Sequence, residues 1–305
     1  MKVHHRRTPD AVETEIGKRV VEDVTRALCS IVTCDDRFVV NDSEWFIKRG
    51  KGGVTPCVMN AAKFLSQKFQ TVLRESCGWE TEKELAGQAI DAYVELATVS
   101  RKFRISTNIE FVDFFRTWCE DNQPENIRLE FLACWRRFVQ IGVNEVSEIG
   151  KPYQQFFHET GAGPTTIRIG LEFETGNIAS SFRALDKLET LFVTGLIDCG
   201  VFVTSIDKEH AAARIWPTSN RNGSFAELEN RNYRHNRTVP LWEFGFEPDE
   251  FDRSAPFFDN TVLYEPIPTG RTTKHAGVTY EVFQRGGEKL LRRLTVPQNR
   301  RSDEP

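Results

Sequence analysis

Ile167–Thr204, IRIGLEFETGNIASSFRALDKLETLFVTGLIDCGVFVT, reads as a strand, a turn, an amphipathic helix and a second strand. In its first eight residues Ile167, Ile169, Leu171 and Phe173 alternate with Arg168, Gly170, Glu172 and Glu174, the period of two that sends each set to one face of a strand. Glu172 and Glu174 therefore share a face, roughly 7 Å apart at about 3.3 Å per residue. Two carboxylates held that close repel, and a divalent cation relieves the repulsion. Read without further context, Glu-X-Glu on a strand is usually only a solvated face, and the basic-faced helix that follows is what points to a site. Thr175-Gly176 ends the strand. Ile178, Phe182, Leu185 and Leu188, extended by Leu191 and Phe192, then form the stripe of a helix whose other side carries Ser180, Arg183 and Lys187. Gly200–Thr204 is short, apolar and β-branched, as a buried neighbouring strand is. Strand, helix, strand implies a right-handed crossover in a mixed sheet.

Around this core the chain reads as mostly helical. Pro9–Ile31 has the pattern of one helix, and Thr55-Pro56 offers the cap and first turn of another, with Val58, Ala62, Leu65, Phe69 and Val72 along one side. Residues 85–149 read as further helices with Phe111, Phe114, Trp118, Phe131 and Trp135 at core spacing, a helical insertion before the acidic strand. The expected fold class is α/β, a central mixed sheet flanked by helices with a large helical N-terminal part. Residues 1–265 form the main domain. Residues 266–305 form a basic segment (Arg271, Lys274, Arg285, Lys289, Arg292, Arg293), read as a solvated helix and a polar tail.

With 305 residues, 39% of them hydrophobic, the chain can bury a large core. A net charge of −4 does not advertise a nucleic-acid partner, although a local basic cleft suffices for one. The N-terminus lacks an apolar signal core and no run is long enough to span a membrane, so the expected compartment is the cytoplasm. Seven scattered cysteines without a CxxC pair argue for reduced thiols and against zinc.

Glu172-Phe-Glu174, Asn177, Phe182-Arg183-Ala184-Leu185 and Gly195-Leu-Ile-Asp198-Cys-Gly200-Val resemble the catalytic core of type II restriction endonucleases of the BamHI/BglII-like branch of the PD-(D/E)XK nuclease superfamily. Gly50-Lys51-Gly52-Gly53, followed by a helix and Cys77-Gly78-Trp79, resembles the N-terminal part of the same enzymes. The resemblance implies a Mg²⁺-dependent, site-specific nuclease of double-stranded, palindromic DNA, acting as a homodimer. A DNA-binding or regulatory module of the same fold with a degenerate metal site is the alternative.

The family pattern is an acid at one strand end, then Glu-X-Lys on the next, with Glu or Gln allowed at the lysine position in this branch. Glu172 takes the central place and Glu174 the variable one. No Asp stands at suitable spacing upstream, so Glu159 is assigned as the first acid, across a hairpin turning at Gly161–Pro164; Glu145 or Glu148 is the candidate for an acid on a preceding helix. The catalytic set is then Glu159, Glu172 and Glu174, with metal on Glu159 and Glu172 and Glu174 accepting a proton from water. By the same resemblance Asn177 and Arg183 fall where relatives contact bases, with Ser180 secondary. Arg pairs bidentately with guanine and Asn with adenine. Asn177 also suits a helix N-cap, and Arg183 a surface ion pair with Asp186 or Glu189. Arg214, Arg221, Arg231, Arg234 and Arg237 crowd a loop that offers either phosphate contacts, Arg221 foremost, or an ordinary solvated surface.

Overall fold

The computed structural model describes residues 1–9, 14–50, 53–105, 111–123, 157–206, 223–235 and 237–294. Six strands build the central sheet: β1 (Lys2–Arg7), β5 (Glu80–Leu85), β6 (Gln88–Ile105), β7 (Phe157–Glu174), β8 (Cys199–Ser205) and β9 (Leu241–Glu247), in the order β1-β9-β8-β7-β6-β5. The sheet is mixed. β7, β8 and β9 run parallel to one another, whereas β6 is antiparallel to β7, β5 to β6 and β1 to β9.

The alternation that begins at Ile167 holds. Ile167, Ile169, Leu171 and Phe173 enter one core, under the helices α1 (Thr14–Cys29) and α2 (Ala62–Cys77), with Val24, Leu28, Leu65 and Phe69 among the helical partners. Phe173 stacks between Phe69 and Phe246. The other face packs on a helix, Ile178–Val193, through Leu185, Leu188, Leu191 and Phe192, in a second core with Phe202 and Leu241. That stripe is the one its sequence displays. After α3 (Phe111–Asn122), this helix is α4 and the short Phe225–Asn230 is α5.

Among the described residues the N-terminal part is strand-rich, and a large helical part is not seen. Residues 85–105, expected as the start of a helical block, instead belong to a hairpin: β5 and β6 meet at Ala86-Gly87, both with positive φ, as a two-residue turn requires. Ala92, Val94 and Leu96 enter the core under α1 and α2 at the period of two. Thr55-Pro56 does not start a helix either; it lies in β4 (Val54–Cys57), an edge strand on which proline costs no ladder bond. The helix expected within Pro9–Ile31 is borne out by α1, whose described residues are Thr14–Cys29.

The basic segment after residue 266 is a second sheet, not a helix. β13 (Ile267–His275), β14 (Val278–Arg285) and β15 (Glu288–Arg293) are joined by β3 (Trp45–Lys48) and β4 in the order β13-β14-β15-β3-β4. Two short pairs, β2 (Val39–Val40) with β10 (Glu250–Phe251) and β11 (Phe257–Phe258) with β12 (Leu263–Tyr264), lie between the sheets in chain order. No helix among the described residues is long and apolar enough to cross a membrane.

Candidate active site

β7 delivers Glu172 to the face covered by α4, where it is 5% exposed. Helix α4 sends Lys187 back onto it: the ammonium donates to both carboxylate oxygens, at 2.7 and 2.9 Å, and to the carbonyl of Ala89 at 2.8 Å. The ladder between β6 and β7 pairs Ala92 with Leu171, so one step further sets Asp91 beside Glu172. Asp91 Oδ2 accepts the backbone N–H of Phe173 at 2.7 Å, between the two glutamates, and the Asp91 carbonyl accepts from Gln70 on α2 at 3.4 Å. Glu174, half-buried, accepts the Gly176 N–H through Oε1 at 2.5 Å.

Burial, reinforced by the charge of Asp91, pushes the Glu172 carboxyl up to about 8, against the pull of Lys187. Burial raises Asp91 as well, opposed by its bond from the Phe173 N–H and by Lys187. A deficit of positive charge is written into this cluster, and Lys187 meets only part of it. Among the described residues no three His, Cys, Asp or Glu side chains stand as a ready-made cation cage. The donor chemistry nonetheless fits a hard divalent ion: carboxylate oxygens from neighbouring strands, with an ammonium on Glu172.

Sequence reasoning missed Asp91 and gave Lys187 no role. The signal for Asp91 was present, an acid on the non-core side of an alternating run, but the segment was read as helical. Glu159, assigned in its stead, does not stand across a hairpin from Glu172. Both lie on β7, Gly161–Pro164 continues the strand, and Glu159 pairs with Phe103, on the order of 40 Å from Glu172 along the strand. Two groups so far apart cannot share an ion. Glu145, Glu148, Arg214 and Arg221 lie outside the described residues.

The turn after β7 is tightly built. Asn177 Oδ1 caps α4 by accepting the Ser180 N–H at 3.1 Å. The carbonyl of Gly223 accepts both Ser181 Oγ and Thr204 Oγ1 at 2.9 Å, and a Cβ at that position would collide with Ser181 Oγ, so only glycine fits there against the start of α4. Arg183 is exposed and donates to Ser180 Oγ at 3.0 Å. It does not pair with Asp186 or Glu189: Asp186 holds Arg237, and Glu189 accepts from the backbone of Thr238 and Val239. Of the basic crowd, Arg234 is bound to the buried Glu243, Arg237 to Asp186 and the Tyr233 carbonyl, and Arg231 to Glu227. Arg234 and Arg237 tie elements together, whereas Arg231 makes a surface pair one helical turn away.

A mixed sheet with a buried carboxylate cluster on two adjoining strands and a capped helix beside it has the makings of a nuclease of the restriction-endonuclease class. The family model described as Restriction endonuclease BamHI matches residues 2–257, and the chain belongs to that family. It is a type II restriction endonuclease of the BamHI type, a nuclease that binds double-stranded DNA. No individual curated protein matches it.

Proposed function

We propose that the protein hydrolyses phosphodiester bonds of double-stranded DNA at a palindromic site, with Mg²⁺, as a two-fold symmetric homodimer in the cytoplasm. The observation that carries this is the Asp91–Glu172–Glu174 cluster, whose central carboxyl is held well above its ordinary value in a family of nucleases. Asp91 and Glu172 are the residues that would hold Mg²⁺, which supplies water activation and charge stabilisation at the phosphate when bound. Glu174, partly open to solvent, accepts the proton of the attacking water. Lys187 orients Glu172 and keeps its charge balanced. Asn177, Ser180 and Arg183 lie on the turn and first helical turns beside these acids and read base edges. Arg221, close in sequence to the anchored Gly223, meets phosphate. Palindromic sites and a two-fold dimer go together, because each subunit then reads one half-site.

The test is purified protein with plasmid DNA and Mg²⁺. Discrete fragments, lost in Asp91→Ala and Glu172→Ala while duplex binding persists, support the assignment. The competing reading, a DNA-binding module that no longer cuts, draws on the ion pair that already occupies Glu172. Site-selective binding without fragments at any Mg²⁺ or Mn²⁺ concentration would establish that module instead.

A further inference from the structure

The second sheet sorts its charges by face. Opposed residues of an antiparallel pair point the same way, so the register fixes which side each takes. On one face Arg292 pairs with Glu281 at 2.8 Å and Arg285 with Glu288 at 3.2 Å, above the core of Trp45, Phe257, Phe283 and Leu290. The other face carries Lys48 opposite Val54, Arg271 opposite Val282, His275 opposite Val278, Lys289 opposite Gln284 and Arg293 opposite Tyr280. No acid stands on that face within the five strands, and these five side chains make no ion pair with a described residue. Phe46, Tyr280 and Leu291 form its apolar floor, with Arg293 over the Phe46 ring. The sheet curls: a Cβ on Gly53, at the start of edge strand β4, would lie 3.4 Å from His275 Nε2, at the end of the opposite edge strand. The cations thus surround a concave surface.

Residues 267–293 hold six Lys and Arg against two Glu in a chain of net charge −4, and they lie outside the span matched by the family. Both acids pair on the far face, so the excess charge is concentrated on one side. We infer that this concave face is a second DNA-contacting surface, which binds the phosphate backbone of duplex DNA without regard to sequence. The inference rests on the DNA reading of the proposed function. Exposed lysines and arginines around an apolar floor match a polyanion, release its counterions and carry no base code.

The experiment uses the full chain and a fluorescent duplex lacking any cleavage site, with anisotropy titrations in EDTA at several salt concentrations. The variant is Lys48→Ala/Arg271→Ala/Lys289→Ala/Arg293→Ala. The control removes cations paired elsewhere on the surface, Lys18→Ala/Arg74→Ala/Lys83→Ala. Every phosphate-binding cation removed should flatten the slope of log K against log [salt] by about 0.9, so the variant should bind at least about tenfold more weakly near physiological salt while the control stays close to wild type. Melting curves establish folding. Should the quadruple variant melt early, Lys48→Ala/Lys289→Ala, both at strand ends, should give roughly half the flattening. A folded variant with wild-type affinity and slope overturns the second surface alone. Wild-type protein that binds no duplex overturns the DNA reading itself and this inference with it.

Discussion

Two glutamates occupy matching addresses on either side of β8. Glu172 on β7 and Glu243 on β9 both pair in register with Phe202, and both are buried on the face that α4 covers. Glu243, fully buried, accepts from Tyr233 Oη at 2.7 Å and from Arg234 through Nε at 3.1 Å and Nη2 at 2.5 Å. Its charge is met by a forked guanidinium, and the phenol beside it is held un-ionised by burial and by the carboxylate's own charge. Glu172 has a single ammonium and a second acid, Asp91, at its side. One carboxylate is satisfied and holds the fold. The other is left short of positive charge, which is a poor way to stabilise a sheet and a good way to bind a cation.

The largest effect that can break this contrast is on cleavage. Asp91→Ala and Glu172→Ala should each lower the rate by at least about a hundredfold with little change in duplex affinity measured in Ca²⁺. Wild-type cutting by Glu172→Ala would remove the distinction altogether. Glu243→Ala should do the opposite. It leaves Tyr233 and Arg234 without their acceptor and should cost about 2–4 kcal/mol in urea unfolding, at the lower end because Arg234 reaches solvent, while folded protein keeps its rate.

A third test is the pH dependence of stability without metal. The Glu172 carboxyl sits near 8 in the fold against an ordinary 4.5, so between these values the native state binds more protons than the unfolded one. Its contribution is therefore full below 4.5 and is lost as pH rises through 8. Melting temperatures in EDTA should fall from pH 6 to 9 on this account, and Glu172→Gln should flatten the trend. Mg²⁺ affinity, followed by calorimetry, should rise over the same range, because binding needs the ionised carboxylate and expels its proton. An Mg²⁺ affinity independent of pH from 6 to 9 would mean that Glu172 is not the ligand.

The smallest effects separate the arginines. Arg183→Ala should cost roughly 1–3 kcal/mol of discrimination at one base pair per half-site. Arg237→Ala, which loses Asp186 and the Tyr233 carbonyl, should lower stability and leave the specificity ratio alone. Equal weakening of all duplexes by Arg183→Ala would make that residue a backbone contact.

Local order determined much of this protein. The alternation through Ile167–Glu174, the turn at Thr175-Gly176 and the stripe of Ile178–Val193 are short-range patterns, and they sufficed to place Glu172, Glu174, Asn177 and Arg183 on the elements they occupy. Where period two and period 3.6 compete, as in residues 88–105, aromatic and aliphatic content alone misled, and a hairpin was read as helix. The partners of Glu172 were beyond such patterns. Asp91 comes from a strand far upstream whose register is set by the whole sheet, and Lys187 from the opposite layer, while the acid nearest in sequence, Glu159, is carried away along its own strand. Burial separates Glu172 from an ordinary surface acid, and the choice of donors separates it from Glu243. Both depend on what lies across space, which only the packed sheet and helices decide.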